Sequence, residues 1–248
     1  MTHDAELAQA FDGQAERFEK APMQNDPQAL QRLVQFAALE PDSLVLDAGC
    51  GPGIVCEALL SAGHRVVGVD LSTQMVERAR ARCARFGDRA RFLQGSVLEL
   101  AEGGFDAALS RLVLHQIVAP LAFVAAQAQR VRKGGAVIVN DHTTDPDPGR
   151  AAWHQQIERA RDRTHTRCLT IGELANLFAA AGLVRLQISE EDFEVDFDEW
   201  FDRGTPALSK PEVRALIESG AARGFAPQRR PGALAILGVR ALVRGVRI

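Results

Sequence analysis

The chain has 248 residues, and 46% of them are hydrophobic, which is enough to bury a full core in one domain. The formal net charge is −3 and the isoelectric point is near 6.1, so the overall charge favours neither nucleic acid nor an anionic membrane as a partner. The sequence contains neither a secretion signal nor an uninterrupted apolar span, so we expect a cytoplasmic protein that acts on small molecules.

The first 40 residues are expected to form a helical lid. Residues 1–24 place Phe11 and Phe18 among polar residues, a weak helical pattern that fits either a mobile lid or a fixed N-terminal strap. Asp26 and Pro27 predict the start of a second helix, because aspartate caps helices and proline fits their first turn. The apolar stripe of this helix runs to about residue 39 and consists of Leu30, Leu33, Val34 and Ala37.

A strand, a glycine turn and a helix follow in immediate succession. Residues 44–46 predict a buried strand, and Gly49, Gly51 and Gly53 predict a tight turn that lies close to a ligand. This order opens a nucleotide-binding α/β unit. Ile54 stands where the dinucleotide fingerprint needs its third glycine, so the match to that fingerprint is incomplete.

Two aspartates at strand ends indicate which ligand the turn suits. Asp47 would repel a pyrophosphate, but it would attract an ammonium or sulfonium group. Asp70 closes a second strand over residues 66–69, about 20 residues after the glycines, where a carboxylate can accept both hydroxyls of a ribose. The sequence therefore favours a cationic nucleoside ligand.

The remaining pattern predicts an α/β fold, a doubly wound, Rossmann-like, mostly parallel sheet of seven strands with a small helical cap. The predicted helices are a Ser72-capped helix to about residue 85, one over residues 121–132, one over 153–162 and one from Thr170 to Gly182. The further predicted strands cover residues 91–94, 105–110, 136–139, 184–189 and 234–239, with a strand edge turning into a helix over 190–202.

We expect one domain over residues 1–248. Within it, residues 41–142 form the cofactor-binding core, residues 143–170 an insertion that covers the acceptor, and residues 171–248 the C-terminal helices and last strands. The tail from residue 221 onward has six arginines, but no aromatic residue is interleaved among them after Phe225, so we expect no nucleic-acid partner. A monomer and a homodimer both stay open.

Three motifs resemble those of a known family: VLDAGCGPG at residues 45–53, VGVDLS at 67–72 and KGG at 133–135. They resemble the class I S-adenosylmethionine-dependent methyltransferases, and within them the group similar to the ubiquinone/menaquinone C-methyltransferases. The resemblance covers about residues 40–145 closely and the remainder loosely. It implies S-adenosyl-L-methionine as cofactor, with the turn along the methionine part, Asp70 on the ribose and Met75 or Leu71 near the adenine. Many members contact the adenine amine with an aspartate, whereas this chain offers Ser96.

These patterns and the resemblance together give a set of candidate site residues. The predicted cofactor-binding residues are Asp47, Gly49, Cys50, Gly51, Asp70, Leu71, Met75, Gly95, Ser96, Val97 and Arg111. The candidate proton acceptors, for an acceptor molecule that must lose a proton, are in order His142, His115 and His165. No metal site and no disulfide are expected, because the four cysteines lack paired spacing and a nearby histidine cluster.

The expected reaction is in-line transfer of a methyl group to a small molecule, and the sequence leaves the identity of that acceptor open. Phe11, Phe18 and Trp153 as apolar lid residues favour an aromatic or heterocyclic metabolite. Two other classes of protein stay open. One is a non-catalytic adenosylmethionine-binding regulator. The other, a nicotinamide-dependent reductase, is disfavoured by Ile54 and by the absence of tyrosine from the chain.

Overall fold

An eight-stranded sheet forms the centre of the computed structural model, which describes residues 2–248. The strands are β1 Leu44–Ala48, β2 Arg65–Asp70, β3 Ala90–Gln94, β4 Phe105–Arg111, β5 Val131–His142, β6 Leu183–Asp196, β7 Phe225–Arg230 and β8 Ala233–Arg247. The helices are α1 His3–Lys20, α2 Pro27–Ala37, α3 Ile54–Ser61, α4 Thr73–Cys83, α5 Pro120–Arg130, α6 Pro148–Arg161, α7 Ile171–Ala180, α8 Phe197–Asp202 and α9 Lys210–Glu218. Two 3-10 turns cover Ala84–Arg89 and Leu114–Gln116.

The strand order β3-β2-β1-β4-β5-β8-β6 confirms the predicted doubly wound sheet. The first five strands of this order are parallel, β8 runs antiparallel between β5 and β6, and β7 adds a hairpin to β8. Strands β1, β2 and β3 are added toward one edge of the sheet, whereas β4 and β5 are added toward the other, so the strand order reverses between β1 and β4. Ligands of such sheets bind beyond the carboxyl ends of the strands at this switch point.

Each face of the sheet carries its own apolar core, because successive residues of a strand point to opposite faces. Val45 packs with α2, α3 and α4 on one face, while its neighbour Leu46 packs with α5 and α7 on the other. The same alternation holds along β2, where Val66 and Val67 divide between the two cores. Covering both faces with helices holds the parallel strands rigidly, and only their ends stay open to a ligand.

Several predicted helix starts are confirmed by their caps. The Ser72 hydroxyl accepts a hydrogen bond from the N–H of Met75 at 3.1 Å, so α4 begins just after the end of β2. Thr170 and Glu173 form a reciprocal capping box at the start of α7. Asp26 caps α2 through the N–H of Gln28.

The structure corrects two predicted strand boundaries. β5 begins at Val131, so Gly134 and Gly135, which follow the helix predicted over residues 121–132, lie inside a strand. At Gly135 a Cβ atom would lie 2.5 Å from the Asp106 carbonyl oxygen, and the pairing of β4 with β5 shifts register at this level. β8 continues to Arg247, past the predicted end at residue 239, and Arg240 within this extension is buried.

A third apolar cluster includes residues at the end of β6 and at the starts of β7 and β8. It joins α6, from the predicted insertion over residues 143–170, to the C-terminal elements. Its buried members are Ile157, Ala160, Val195, Phe197, Trp200, Phe201, Val213, Ile217, Phe225, Leu234 and Ile236. The predicted cap is therefore built from two separate parts of the chain. Across residues 2–248, no helix combines the length and the apolar character that crossing a membrane requires.

Candidate active site

A cavity of about 210 Å³ opens at the carboxyl ends of β1, β2 and β4, where the topology predicts a ligand. All of the residues predicted to bind the cofactor lie on its wall. They are Asp47, Gly49, Cys50, Gly51, Asp70, Leu71, Met75, Gly95, Ser96, Val97 and Arg111. Their contact with a cofactor stays a prediction.

The glycine turn forms the floor of this cavity. Gly49 has φ +77° and donates its N–H to the Val69 carbonyl at 2.8 Å, which fastens the turn to β2. A Cβ atom at Gly49 would lie 2.6 Å from Cγ2 of Val113, so a side chain is excluded there. A Cβ atom at Gly51 would meet no atom within 4 Å, and this residue lines the cavity. The backbone at Gly51 is therefore open to close approach by a ligand.

Asp70 is tied to the turn by its own hydrogen bonds. One carboxylate oxygen accepts from the N–H of Gly51 at 2.8 Å and the other from the N–H of Ser72 at 2.9 Å. Burial raises the pKa of Asp70, while the backbone donors at Ser72 and Gly51 oppose that shift. A carboxylate has about four acceptor positions, so acceptor capacity remains for two ligand hydroxyls.

Asp47 lies at the end of β1 and is 1% exposed. Its Oδ2 accepts a hydrogen bond from the Cys56 thiol at 3.1 Å. Burial raises the pKa of Asp47 to about 7, helped by the charge of Asp70 and opposed by the Cys56 hydrogen bond and the Arg111 charge. A cation placed beside Asp47 would therefore favour its ionised form and pair with it.

Arg111 and Leu112 leave β4 in an unusual conformation. Leu112 has φ +57°, rare for a residue with a branched side chain, and its N–H donates to the Asn140 carbonyl at 2.8 Å. The Arg111 guanidinium is buried and donates to the carbonyl oxygens of Gln24 at 3.0 Å and Met23 at 3.4 Å. Burial and the charge of Arg240 lower the pKa of Arg111 to about 10, so it stays cationic at neutral pH.

Helix α1 covers the cavity. Its residues on the cavity wall are Asp4, Leu7, Ala8, Phe11 and Phe18. The Ser72 hydroxyl donates to Asp12 at 2.6 Å, and Nε2 of His3 lies 2.8 Å from the Gln116 carbonyl oxygen, so side chains attach this helix to both β2 and β4 regions. Asp12 belongs to no recognised motif, so the sequence pattern did not predict that it attaches α1 over the cavity.

The three candidate histidines lie together, but none of them lines this cavity within residues 2–248. The rings of His142 and His165 are centred 5.4 Å and 5.7 Å from that of His115. Nδ1 of His115 lies 2.6 Å from Asp141, while Nε2 of His165 lies 2.8 Å from Gln155. The histidines therefore form a buried cluster outside the cavity wall.

The environments of these histidines differ in a way that orders them as bases. Burial lowers the pKa of both His142 and His165 to about 3, so both are neutral at pH 7 and hold an added proton poorly. Burial also acts on His115, but the charge and hydrogen bond of Asp141 outweigh it and raise its pKa. These pKa shifts favour His115 over His142 as the proton acceptor, whereas the sequence placed His142 first. A catalytic role for any of them stays a prediction.

Two further expectations concern the cap. Trp153, expected at the lid, packs instead on Phe225 at 6.1 Å and donates to Ser219 at 3.2 Å, away from the cavity wall. All four cysteines are free and buried. No group of three or more histidines, cysteines or acids within residues 2–248 could hold a metal ion.

The comparisons with known proteins agree with this geometry. A family model described as a methyltransferase domain matches residues 22–188. The methyltransferase YcgJ of Bacillus subtilis (strain 168) is 26% identical over 207 residues, which are 82% of this chain and 82% of YcgJ. A crystal structure of YcgJ shares the fold with a TM-score of 0.80 at 24% identity, covering 89% of this chain and 98% of that one.

A second relative matches a shorter stretch of the chain at higher identity. A ubiquinone biosynthesis O-methyltransferase of Aromatoleum aromaticum (strain DSM 19018 / LMG 30748 / EbN1) is 38% identical over 96 residues. The match is 38% of this chain and 41% of the relative, so the chain spans less than half the length of that protein.

A glycine turn and two strand-end carboxylates at the switch point of a parallel sheet define a nucleoside-binding α/β enzyme. Because the family model covers most of the chain, the protein belongs to the S-adenosylmethionine-dependent methyltransferases, as its motifs indicate.

Proposed function

We propose that the protein transfers the methyl group of S-adenosyl-L-methionine to a small metabolite that carries an aromatic or heterocyclic ring. The observation that carries this proposal is one cavity that combines the glycine turn, Asp47 and Asp70 under an apolar helix. A strongly charged polymer would need a basic surface around such a cavity, and the chain has a net charge of −3.

The cavity wall fits each part of the cofactor. Asp47 and the open backbone at Gly51 suit the ammonium and the methionine chain. The free acceptor positions of Asp70 suit the ribose hydroxyls. The apolar side chains of Leu71 and Met75 suit the adenine, with Ser96 nearby as a polar partner.

Aromatic residues on the cover favour a ring-shaped acceptor. Phe11 and Phe18 of α1 both line the cavity, and their rings are centred 5.3 Å apart at an angle of 68°. An acceptor ring could pack on either of them in the offset-stacked or edge-to-face arrangement that aromatic rings prefer. The relative named for ubiquinone biosynthesis is consistent with a small acceptor, although its match covers 38% of this chain.

When bound, the sulfonium supplies an activated methyl group, so the protein's task is to align the acceptor and to exclude water. Helix α1, attached through Asp12 and His3, closes the cavity for this purpose. Where the acceptor must lose a proton, we propose that His115 takes it up through an intervening water, because Asp141 stabilises its charged form and its ring lies behind the cavity wall.

The test supplies S-adenosylmethionine with a tritiated methyl group and a cell extract to the purified protein. The expected result is label in small molecules that pass an ultrafiltration membrane, lost when Asp70→Ala replaces the wild type. Label confined to protein or RNA would contradict the proposal, and so would equal labelling by the variant.

A further inference from the structure

Two consecutive residues separate the cofactor cavity from a second, smaller one. Gln24 lines the first cavity, and Met23 lines the second together with His142 and Phe193. Both residues belong to the turn over residues 21–25 between α1 and α2. The partition between the cavities is thus a single pass of the chain, which ordinary loop motion could withdraw.

Two buried guanidinium groups lie on the same face of the sheet: Arg111 contacts this partition directly, and Arg240 lies against Phe193 on the wall of the second cavity. Arg111 of β4 pairs with Asn140, which pairs with Leu242 of β8, and Arg240 lies two residues further along β8. Residues in register, and those two apart on one strand, share a face. The charge of Arg240 contributes, after burial, to lowering the pKa of Arg111.

Arg240 is incompletely paired for a group that is 2% exposed. Its Nε and Nη1 have no hydrogen-bond partner within residues 2–248, and its Nη2 lies 3.5 Å from Glu191. Glu191 is shared, because Arg32 lies closer to it at 2.6 Å. The guanidinium stands over the ring of Phe193, at 5.2 Å, on the wall of the second cavity.

Arg111 is satisfied only by neutral oxygens. Within the described residues 2–248 it has no carboxylate within 4.0 Å, and its donors go to the main-chain carbonyls of the partition and the Gln24 side chain. A buried cation costs free energy unless an anion balances it. The charges of Glu191, Asp26 and Asp47 act on Arg111 from a distance, but none of these acids pairs with it directly, so a ligand anion could supply the missing direct partner.

We propose that a carboxylate or phosphate group of the methyl acceptor binds between Arg111 and Arg240, where withdrawal of the Met23–Gln24 segment joins the two cavities. In the present structure the carbonyl oxygens of that segment accept the Arg111 hydrogen bonds that the anionic oxygens of the acceptor would accept after withdrawal. This inference rests on the proposed function and gives its acceptor a chemical class: an anionic ring-bearing metabolite.

The test is calorimetric titration of pyrophosphate and of benzoate into protein saturated with S-adenosylhomocysteine, at constant ionic strength. The account expects saturable binding of at least one probe, weakened tenfold or more by Arg240→Gln, with the affinity for S-adenosylhomocysteine unchanged. Stronger binding of pyrophosphate indicates a phosphate acceptor, and stronger binding of benzoate a carboxylate. The control is Arg229→Gln, whose side chain is 73% exposed and which should bind both probes as the wild type does.

Two results overturn the inference: neither probe binds, or Arg240→Gln binds them as tightly as the wild type. If Arg111 serves only the carboxylate of the cofactor, the first result follows. Failure of S-adenosylhomocysteine to bind instead contradicts the proposed function, and the titration is then run on protein without it.

A second readout uses the wild type alone, in case Arg240→Gln does not fold. The N–H groups of Gln24 and Asn25 donate to the Ala21 carbonyl, so they report on the segment. The probe that binds should speed hydrogen exchange at both amides, because the segment withdraws. Unchanged exchange at saturating probe overturns the inference.

Discussion

The carboxylate of Asp70 accepts a hydrogen bond of 2.8 Å from the N–H of Gly51, a residue 19 positions earlier in the chain. The same carboxylate accepts from the N–H of Ser72 at the start of α4. The acid at the end of β2 and the glycine turn after β1 are therefore one structural unit. A ligand that binds Asp70 also meets a turn that Asp70 has already oriented.

Replacing Asp70 by alanine should weaken binding of S-adenosylhomocysteine by about 1 to 3 kcal/mol, because the ribose loses its acceptor and the turn its anchor. Titration calorimetry measures the change. The control is Asp88→Ala, which removes an exposed carboxyl far from the cavity wall and should leave the affinity unchanged. An unaltered affinity in Asp70→Ala would refute its role.

The affinity for S-adenosylhomocysteine should fall as the pH drops through about 7, the pKa to which burial raises Asp47. Below that pH Asp47 is protonated and cannot pair with the ammonium of the ligand. Calorimetry from about pH 6 to about pH 8 measures this dependence. Asp47→Asn should bind weakly at every pH, and a variant with the wild-type pH profile would contradict the assignment.

The same raised pKa has an effect of the opposite sign on stability without ligand. The folded protein holds a proton at Asp47 that the unfolded chain releases above about 3.8, its ordinary pKa. The contribution of Asp47 to the free energy of unfolding is therefore greatest below that value and is lost as the pH rises to about 7. Urea unfolding at a series of pH values measures the free energy of unfolding. The fall caused by Asp47 should be present in the wild type and absent from Asp47→Asn.

Gly53→Ala should lower the free energy of unfolding by about 2 kcal/mol or more. The added Cβ would lie 2.9 Å from Cα of Ala79, in a backbone with φ +81° that alanine rarely adopts. Urea unfolding measures the loss. Gly13→Ala is the matched control, because its Cβ meets no atom within 4 Å in the middle of α1, and it should raise stability by about 0.5 to 1 kcal/mol. Equal stability of the two variants would contradict the packing described.

Asp141→Asn should lower the pKa of His115, since the charge and hydrogen bond of Asp141 hold that pKa above its ordinary value against burial. The raised pKa stabilises the fold below about 6.5, the ordinary histidine value, and this contribution is lost as the pH rises through the folded pKa. An NMR titration of the His115 ring measures the shift. Asp192→Asn changes an exposed carboxyl and should leave it in place. A His115 pKa that does not move would exclude the pairing.

Asp12→Ala should speed dissociation of S-adenosylhomocysteine by about 5- to 30-fold, the equivalent of about 1 to 2 kcal/mol for two hydrogen bonds. The bonds lost come from the Ser72 hydroxyl at 2.6 Å and from the N–H of Gln74 at 3.1 Å, and they hold α1 over the cavity. Stopped-flow displacement measures the rate. Glu16→Ala removes only an exposed pair with Lys20 on the same helix and should leave the rate unchanged. Equal dissociation rates in Asp12→Ala and Glu16→Ala would show that the hydrogen bonds of Asp12 do not hold α1 over the cavity.

The parts of the site that the sequence predicted are those set by local physics. Gly49 and Asp70 stand at strand ends whose geometry fixes where they point, so both could be placed before the fold was known. The attachment of Asp12 to Ser72 spans 60 residues and depends on how α1 crosses the sheet. No periodicity encodes such a contact.

Two other features were hidden for related reasons. Arg240 looks like a surface residue in a basic tail, and its burial follows only from the pairing of β8 with β5 and β6. The sequence around His115, His142 and His165 does not say which way their side chains point. His142 therefore ranked first by sequence, although burial lowers its pKa to about 3.

Titration calorimetry of the wild-type protein with S-adenosylhomocysteine, and separately with a nicotinamide dinucleotide, tests most directly whether the turn and its two carboxylates hold an adenosyl amino acid. Saturable binding of one S-adenosylhomocysteine per chain, with no heat of binding from the dinucleotide, is the predicted result. Binding of the dinucleotide without binding of S-adenosylhomocysteine would contradict the account.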